Sequence, residues 1–296
     1  MGTATSAGTG MFRVKIMPIP ATAITASAPS GVTRRSATDA HISSDHPMAR
    51  HISGSFGTEK TGTRLPTASA AASATSRNSM RPSLDQRKSF MMRLAYVAAV
   101  GQFNPHGRLL FYPGSPALAM TQARAQDRLR LFELHPADFE SLQRTFDREQ
   151  ERVQVRRADG FGALKGLLPP PSRRAVVLID PPYEVKDDYR RVVDTLRDAL
   201  RRFPTGTFAV WYPMLSRTEA RMLPERLAEL GAESWLDVRL AVRSPARDGF
   251  GMFGSGLYVV NPPWLLPERL EKTLPWLVEH LGQDEGAGFD LEHHIE

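Results

Sequence analysis

Asp180 is the first residue whose place in the sequence suggests chemistry. It lies in the stretch VVLIDPPYE, residues 176–184, where four apolar residues run into an aspartate, two prolines and Tyr183. Proline has no backbone N–H and cannot extend the hydrogen bonds of a sheet, so a strand must end here. In an open α/β sheet, ligands bind beyond the carboxyl ends of the strands. The sequence therefore predicts that Asp180 lies where a ligand binds.

Two further acidic residues follow predicted strands in the same way. Glu133 comes directly after RLRLF, and Asp159 comes after VQVRRA. In a parallel sheet the three carboxylates share one edge. There an acid after the second strand can accept hydrogen bonds from a ribose diol, and an acid after the third can hold an adenine amine. A single acid at a strand end is more often an exposed side chain or a helix cap, but three at successive strand ends are harder to explain in that way.

The residues around Asp180 suit a reaction at the amine of adenine. That amine is a poor nucleophile because its lone pair is delocalised into the ring, so attack on a methyl donor needs its developing charge to be stabilised. The Asp180 carboxylate can accept one N–H, and the carbonyl of Pro181 can accept the other. Tyr183 offers a flat face on which a flipped base can stack. The proline pair holds this geometry before the substrate arrives.

Strand and helix patterns alternate from about Met91 onward, and these elements must position the acids. Segments whose apolar residues recur at helical spacing lie between the successive strand patterns. The last two strand patterns, SWLDVRLAV and SGLYVVNPP, follow each other with no helical segment between them. Repeated βα units that end in a strand pair predict a mostly parallel sheet with an antiparallel end. We expect a catalytic domain over residues 91–283 and a flexible C-terminal tail over residues 284–296.

The first 90 residues differ in composition from the rest. Glycine, alanine, serine and threonine make up 47 of them, with no period that would bury one face. They carry 11 Lys and Arg against 4 Asp and Glu, while the remainder carries 27 against 28, so the net charge of +6 belongs to this segment. We predict that residues 1–90 are low-complexity, disordered chain unrelated to the domain.

Composition also disfavours several classes of protein. The absence of cysteine excludes disulfides and thiolate metal sites, and we expect no metal. No apolar run is long enough for a membrane span, which needs about 18 residues, so we expect a cytoplasmic protein, as a monomer. Paired arginines occur in RRADG, SRRAV, DDYRR and ALRRF, where they indicate either a basic surface or ordinary solvated faces.

A series of short motifs runs along roughly residues 94–283, in the order FYPGSP, ELHP, ADGF, LIDPPYE, WYP, GSG and NPPW. The pattern [DNS]-P-P-[YFW] after the fourth strand is typical of class I S-adenosylmethionine-dependent amino-methyltransferases. The whole series resembles the bacterial 23S ribosomal RNA adenine-N6 methyltransferases of the large-subunit J type. The resemblance implies a Rossmann-like α/β fold of class I, S-adenosyl-L-methionine as cofactor, and N6-methylation of an adenine in 23S ribosomal RNA.

The same resemblance assigns roles to individual residues. It implies that S-adenosylmethionine is contacted by Ser115, Glu133, Asp159 and Gly160. It implies that Asp180 is the catalytic acceptor, with Pro181 and Tyr183 beside it. We expect the target base to be single-stranded or flipped, because duplex RNA hides its base edges. Two alternatives stay open: a DNA adenine-N6 methyltransferase, which uses the same four-residue motif, and an inactive truncated remnant of the RNA enzyme.

A second stretch, NPPW at residues 261–264, also satisfies the four-residue pattern. It follows the last strand of the closing pair, which runs antiparallel in the class I fold and ends at the edge opposite the cofactor. We therefore interpret Asn261 and Trp264 as a structural turn with an aromatic plug. His135 is open to two interpretations, a substrate contact or a histidine satisfied by backbone at a helix start.

The N-terminus departs from the family pattern. The relatives carry a segment of the type HAGNxADVxKH and then DTHAGxGxY, and neither is present in this chain. Without them we expect the sheet to lack its first strand, with a gap at its centre, and the cofactor pocket to lose one wall. We hypothesise that residues 1 to about 90 are translated from a shifted reading frame.

Overall fold

The computed structural model describes the backbone of residues 13–17 and the whole of residues 95–295. The remainder of the predicted low-complexity segment lies outside the described residues. The strands are β1 (Arg13–Met17), β2 (Leu129–Phe132), β3 (Val153–Arg156), β4 (Val176–Asp180), β5 (Thr207–Met214), β6 (Trp235–Ala241), β7 (Gly254–Val260) and β8 (Gly288–His294). The helices are α1 (95–101), α2 (Ser115–Gln122), α3 (Pro136–Thr145), α4 (Gly160–Leu164), α5 (Lys186–Arg202), α6 (Thr218–Ala228) and α7 (Leu266–Leu281).

The strands form one sheet in the order β3-β2-β1-β4-β5-β7-β6-β8. β2 and β4 each pair antiparallel with β1, and each pairs parallel with its outer neighbour, so β2, β3, β4 and β5 all run in the same direction. β7 runs antiparallel to both β5 and β6. The predicted antiparallel end is confirmed, but the sheet is mixed rather than mostly parallel, because β1 runs antiparallel between β2 and β4.

β1 occupies the centre of the sheet, where we expected a gap. Val14 pairs with Phe132 of β2 on one side and with Ile179 of β4 on the other. Because β1 is antiparallel to both neighbours, its first residue, Arg13, pairs with Asp180, the last residue of β4, and the strand runs away from that edge. The expected gap is therefore filled by a strand from the N-terminal segment, in the direction opposite to the parallel strands around it.

β8 corrects the prediction of a flexible tail over residues 284–296. It pairs antiparallel with β6 along its whole length, from Trp235 opposite His294 to Ala241 opposite Gly288. The guanidinium of Arg239 on β6 forms an ion pair with Glu292 on β8. The stretch GFDLEHH alternates apolar and polar residues over only four positions and most of β8 is exposed to solvent, so its sequence resembles a tail.

Helices cover both faces of the sheet, as neighbouring residues of β2 demonstrate. Leu131 packs in a cluster with residues of α2 and α3, whereas Phe132 belongs to a larger cluster with residues of α4, α5 and α6. Successive side chains of a strand point to opposite faces, so these helix groups lie on opposite sides. On β6 and β7, Leu236 and Val259 pack against Leu274 of α7. The result is a three-layer sandwich.

α5 begins at Lys186, a short turn after the two prolines, and packs against β4, the strand that Asp180 ends. Its buried stripe recurs at helical spacing through Tyr189, Val192, Val193, Leu196 and Ala199. Its charges complement the helix dipole, with acids in the first turn and bases in the last: Asp187, Asp188, Arg201 and Arg202. The strong amphipathic pattern explains why this long helix could be predicted from its sequence.

Candidate active site

The carboxyl ends of β2, β3, β4 and β5 meet at one edge of the sheet, which we call the ligand edge. Glu133 follows β2 directly, Asp159 follows β3 after a short turn, and Asp180 is the last residue of β4. These strands are parallel, so the three acids lie at the same edge, as predicted. The arrangement provides a row of carboxylates at the place where an open α/β sheet binds its ligands.

Glu133 is fully buried at this edge. Its Oε1 accepts a hydrogen bond from the backbone N–H of His135 at 2.9 Å, which fixes the carboxylate against the start of α3. The carbonyl of His135 in turn accepts from the backbone N–H of Phe139 at 2.9 Å, and its imidazole Nδ1 lies 3.2 Å from Oδ2 of Asp138. The backbone of His135 is thus fixed at the start of α3, but its side chain makes no capping hydrogen bond there and its Nδ1 has no hydrogen-bond partner within residues 95–295, so both interpretations of the imidazole stay open.

Asp159 and Gly160 form the junction between β3 and α4. Asp159 is the N-cap of α4, and its Oδ1 accepts from the backbone N–H of Phe161 at 3.1 Å. Gly160 is buried as the first residue of the helix. Oδ2 of Asp159 forms an ion pair with Nη2 of Arg191, at 2.5 Å. The carboxylate predicted to hold an adenine amine is therefore fixed at both oxygens.

Asp180 is half-buried at the end of β4, and Pro181 after it is buried. Tyr183 has a positive φ of 56°, which a non-glycine residue adopts only at some cost in energy. Its backbone carbonyl accepts from Nη1 of Arg217, the residue before α6, at 3.3 Å. The turn after Asp180 is therefore stabilised by a hydrogen bond from Arg217, which lies between β5 and α6.

The ring of Tyr183 does not lie where we predicted it. Only 2% of the residue is exposed, its hydroxyl donates to the carbonyl of Trp211 at 2.7 Å, and its ring centre lies 4.8 Å from that of Tyr189. Burial raises the pKa of its phenol well above the ordinary value. The ring packs in the core because the left-handed backbone at Tyr183 turns it inward, so its face is not open to a base in this conformation.

Ser115 lies on a helix and not directly after a strand. It is the exposed first residue of α2, between Gly114 and a buried Pro116. α2 covers β2 and β3 through Ala119 and Met120, which pack on the cluster formed by those strands. Of the predicted site residues, Ser115 therefore belongs to the helix layer rather than to the strand ends.

Asn261 lies at the edge opposite Asp180. Its Nδ2 donates to the carbonyls of Pro204 and Gly206 at 2.7 and 2.8 Å, and Thr207, the first residue of β5, donates from Oγ1 to the carbonyl of Asn261 at 2.9 Å. The interpretation of Asn261 as a structural turn agrees with these bonds. The aromatic plug is wrong, because 59% of Trp264 is exposed.

Several residues at the ligand edge escaped prediction. The pair in DDYRR divides, with Arg190 in surface ion pairs to Asp187 and Asp194 while Arg191 turns toward Asp159. Beside them Asp188 is only 4% exposed, its Oδ2 has no hydrogen-bond partner within residues 95–295, and burial raises its pKa. Helical spacing from the buried stripe of α5 is the signal that could have separated the two arginines.

The loop between β6 and β7 also reaches the ligand edge. The last residue of this loop, Phe253, lies beside the end of β5, because its backbone N–H donates to the carbonyl of Met214 at 3.2 Å. Phe250 in this loop is 78% exposed and stands between two glycines of positive φ, Gly249 and Gly251. Phe250 belongs to no hydrophobic cluster of the described residues, and composition alone did not reveal its exposure.

No helix within the described part of the chain has the length and apolar character to cross a membrane. Within the same residues, no group of three or more acidic or histidine side chains is arranged to hold a metal ion.

Comparison with known proteins gives consistent matches. The family described as "Ribosomal RNA large subunit methyltransferase D, RlmJ" matches residues 84–292. A relative from Escherichia coli (strain K12), named Ribosomal RNA large subunit methyltransferase J, is 45% identical over 183 residues, 62% of this chain and 65% of the relative. A relative of the same name from Haemophilus influenzae (strain ATCC 51907 / DSM 11121 / KW20 / Rd) is 42% identical over 194 residues, 65% of this chain and 68% of the relative. The chain thus spans about two thirds of the length of these relatives.

A solved structure supports the same relationship. The crystal structure of protein LPL1258 from Legionella pneumophila str. Philadelphia 1 superposes with a TM-score of 0.62 at 32% identity, covering 68% of this chain and 73% of that one. The family match extends over well more than half of the chain and includes every residue of the ligand edge discussed above. This chain therefore belongs to the RlmJ family of ribosomal RNA large subunit methyltransferases.

Proposed function

We propose that this chain transfers a methyl group from S-adenosylmethionine to the N6 amine of an adenine in 23S ribosomal RNA. The observation that carries the proposal is that Asp180, followed by two prolines, ends β4 at the same edge as Glu133 and Asp159. The names of the relatives support the RNA substrate over DNA. A ribosomal RNA substrate also implies work in the cytoplasm, and we propose a monomer.

The acids at the ligand edge fit the cofactor by their chemistry. Carboxylates accept hydrogen bonds from hydroxyls and amines, which are the donors of a nucleoside. Glu133, fully buried and fixed by the backbone of His135, would accept from the ribose diol. Asp159 would accept from the adenine amine, with Gly160 allowing close approach at the start of α4. The bound cofactor supplies the methyl group as an electrophile on sulfur.

The residues of the DPPY turn prepare the target amine. Asp180 accepts one N–H of the amine and stabilises the positive charge that develops on N6 as the new C–N bond forms and the bond from the methyl carbon to the donor's sulfur breaks. The carbonyl of Pro181 accepts the second N–H, and the surplus proton leaves to water after the transfer. A charge-assisted hydrogen bond of this kind is worth roughly 1.5–3 kcal/mol. Arg217 contributes by holding the Tyr183 carbonyl, and thus the turn, in place.

The loop between β6 and β7 supports binding of RNA at this edge. Phe250 presents an exposed ring, and the same loop carries two exposed arginines, Arg243 and Arg247. An aromatic ring with arginines nearby suits a single-stranded nucleic acid, since bases stack on the ring and the guanidiniums meet phosphates. The neighbouring acid Asp248 accepts from the backbone N–H of Phe250 at 3.0 Å and so shapes the loop. Because the ring of Tyr183 is buried, Phe250 is the better candidate for stacking an RNA base near the site.

The direction of β1 bears on the competing interpretation, an inactive remnant. β1 starts at the ligand edge and leads away from it, so no glycine-rich turn follows it at the cofactor site. Calorimetric titration of the full chain with S-adenosylhomocysteine distinguishes an active enzyme from an inactive remnant. Dissociation constants in the micromolar range support the enzyme, and no measurable binding supports the remnant.

Methylation assays test the substrate. They compare 23S ribosomal RNA that lacks N6-methylation of the target adenine with unmethylated duplex DNA. We expect transfer of label to the RNA alone, recovered as N6-methyladenosine after digestion. Label in the DNA alone would support the DNA methyltransferase instead. Label in neither substrate, with cofactor binding intact, would refute the proposed reaction for this chain.

A further inference from the structure

Arg190 and Arg191 are neighbours on α5 with different surroundings. Arg190 lies on the exposed face, where its guanidinium contacts Asp187 at 2.8 Å and Asp194 at 3.0 Å. Arg191 points toward the end of β3 and forms an ion pair with Asp159. Its Cζ also lies 4.3 Å from the centre of the Phe161 ring. Stacking on an aromatic ring restricts a guanidinium in a way that a surface ion pair does not.

The contacts of Arg191 define the orientation of the Asp159 carboxylate. Oδ1 accepts from the backbone N–H of Phe161, and Oδ2 accepts from Arg191. Each carboxylate oxygen has two lone pairs, so both oxygens keep the capacity to accept from a ligand. The two bonds hold the plane of the carboxylate while leaving that capacity at the ligand edge.

Asp188 strengthens the case that Arg191 serves this site. It lies three residues before Arg191, so both side chains are on one side of α5. Asp188 is almost completely buried, and the charge of Arg191 opposes the effect of burial on its pKa. The ion pair of Arg191 with Asp159 ties α5, which starts behind the DPPY turn, to the end of β3, and the charge of Arg191 also acts on the buried carboxylate of Asp188.

We infer that Arg191 is a positioning residue for the adenine of S-adenosylmethionine, acting through the Asp159 carboxylate that it holds. The inference rests on the proposed function, because it assumes that Asp159 accepts from the 6-amine of that adenine. Loss of the guanidinium lets the carboxylate rotate and weakens a bond that only a 6-amino nucleoside makes. The effect should therefore depend on the 6-amine and not on the rest of the cofactor.

The test measures binding of two ligands by calorimetry, S-adenosylhomocysteine and S-inosylhomocysteine, in which an oxygen replaces the 6-amine. We expect Arg191→Gln to weaken S-adenosylhomocysteine roughly tenfold, as when a hydrogen bond to a charged group is weakened, and to leave S-inosylhomocysteine nearly unchanged. Arg191→Lys should restore part of the preference, because it keeps the charge but loses the fork and the stacking. Arg190→Gln is the matched control and should change neither affinity.

The outcomes separate this inference from the proposed function. If the unaltered chain binds neither ligand, the cofactor assignment fails and the inference falls with it. If the unaltered chain prefers the 6-amine and Arg191→Gln keeps that preference, or if both ligands weaken equally, only the inference is overturned. Thermal unfolding of each variant shows whether it is folded. If Arg191→Gln does not fold, the comparison of the two ligands is made with Arg191→Lys.

Discussion

Asp180 and Asn261 each begin a Pro-Pro-aromatic stretch, yet they lie at opposite edges of the same sheet. Asp180 ends the parallel strand β4, whereas Asn261 follows the antiparallel strand β7 and bonds to Pro204 and Gly206 ahead of β5. Only Asp180 shares an edge with Glu133. A four-residue pattern thus acquires or loses its chemical meaning from the direction of the strand before it.

Substitution of Asp180 should reduce catalysis without reducing cofactor affinity. Asp180→Asn keeps the shape but loses a charge-assisted hydrogen bond, so we expect the rate to fall roughly 10- to 150-fold. Asp180→Ala should lower it further, because the target amine loses its partner. Single-turnover methylation, with cofactor titration in parallel, measures both quantities. A wild-type rate in Asp180→Ala would contradict the assignment.

Asn261→Ala should affect stability rather than chemistry. It removes two hydrogen bonds that hold the start of β5, and it puts alanine at a φ of 50°. We expect a loss of about 1–3 kcal/mol in the free energy of unfolding, while the rate per folded molecule stays the same. Asn261→Gly is the matched variant, since it removes the same bonds without backbone strain, and urea unfolding of both separates the two causes. Loss of methylation in fully folded Asn261→Ala would mean that the wrong proline pair has been chosen.

Tyr212→Phe should destabilise the protein more at neutral than at acidic pH. The buried hydroxyl of Tyr212 donates to Oδ1 of Asp237 at 2.6 Å, and burial raises the pKa of that carboxyl above 3.8. A raised pKa in the folded state means that Asp237 favours folding at low pH and that this contribution is lost as the pH rises through the raised value. Without its donor the ionised carboxylate is less stable still, so the deficit at neutral pH should reach about 1.5–3 kcal/mol and shrink toward acidic pH.

Urea unfolding at pH 7.5 and pH 5 checks this expectation. Tyr258→Phe is the control, because Tyr258 pairs with Asp237 across the strands and its buried hydroxyl has no hydrogen-bond partner in the described part of the chain. Removing that hydroxyl should cost little at either pH. Equal losses in the two variants would show that the bond from Tyr212 to Asp237 contributes nothing specific.

Phe250→Ala should weaken RNA binding and leave cofactor binding intact. Stacking of one base on an aromatic ring contributes about 1–3 kcal/mol, so we expect KM for the RNA to rise roughly 5- to 150-fold. Phe289→Ala is a control for loss of an exposed phenylalanine, since Phe289 lies on the edge strand β8. An unchanged KM in Phe250→Ala would remove this loop from the RNA-binding surface.

The gene itself tests the hypothesis of a shifted reading frame. Translation of the two other frames upstream of codon 94 should yield motifs like HAGN and DTHAG. Such motifs would restore a parallel strand and a glycine turn in place of β1. Sequencing of the locus and inspection of both frames is sufficient. Absence of such motifs from both frames would exclude the hypothesis.

Much of the site could be predicted because strand ends are marked in the sequence by local chemistry. The apolar run before Asp180 and the prolines after it act on the backbone directly, and the acids Glu133 and Asp159 likewise follow strong strand patterns. The burial of the Tyr183 ring could not be predicted, because it depends on a positive φ and on the distant partner Trp211. The same holds for Arg191, whose partner lies 32 residues away along the chain.

β8 has a consequence for solubility. It is the outermost strand on its side of the sheet, and its exposed residues include Asp290, Glu292 and two histidines. Open strand edges invite pairing with other chains, and charged side chains on an edge discourage it. If β8 detached, the backbone of β6 would become the edge, with the apolar Trp235, Leu236 and Val238 along it. Loss of the ion pair between Arg239 and Glu292 should therefore appear first as aggregation at high protein concentration, before any change at the ligand edge.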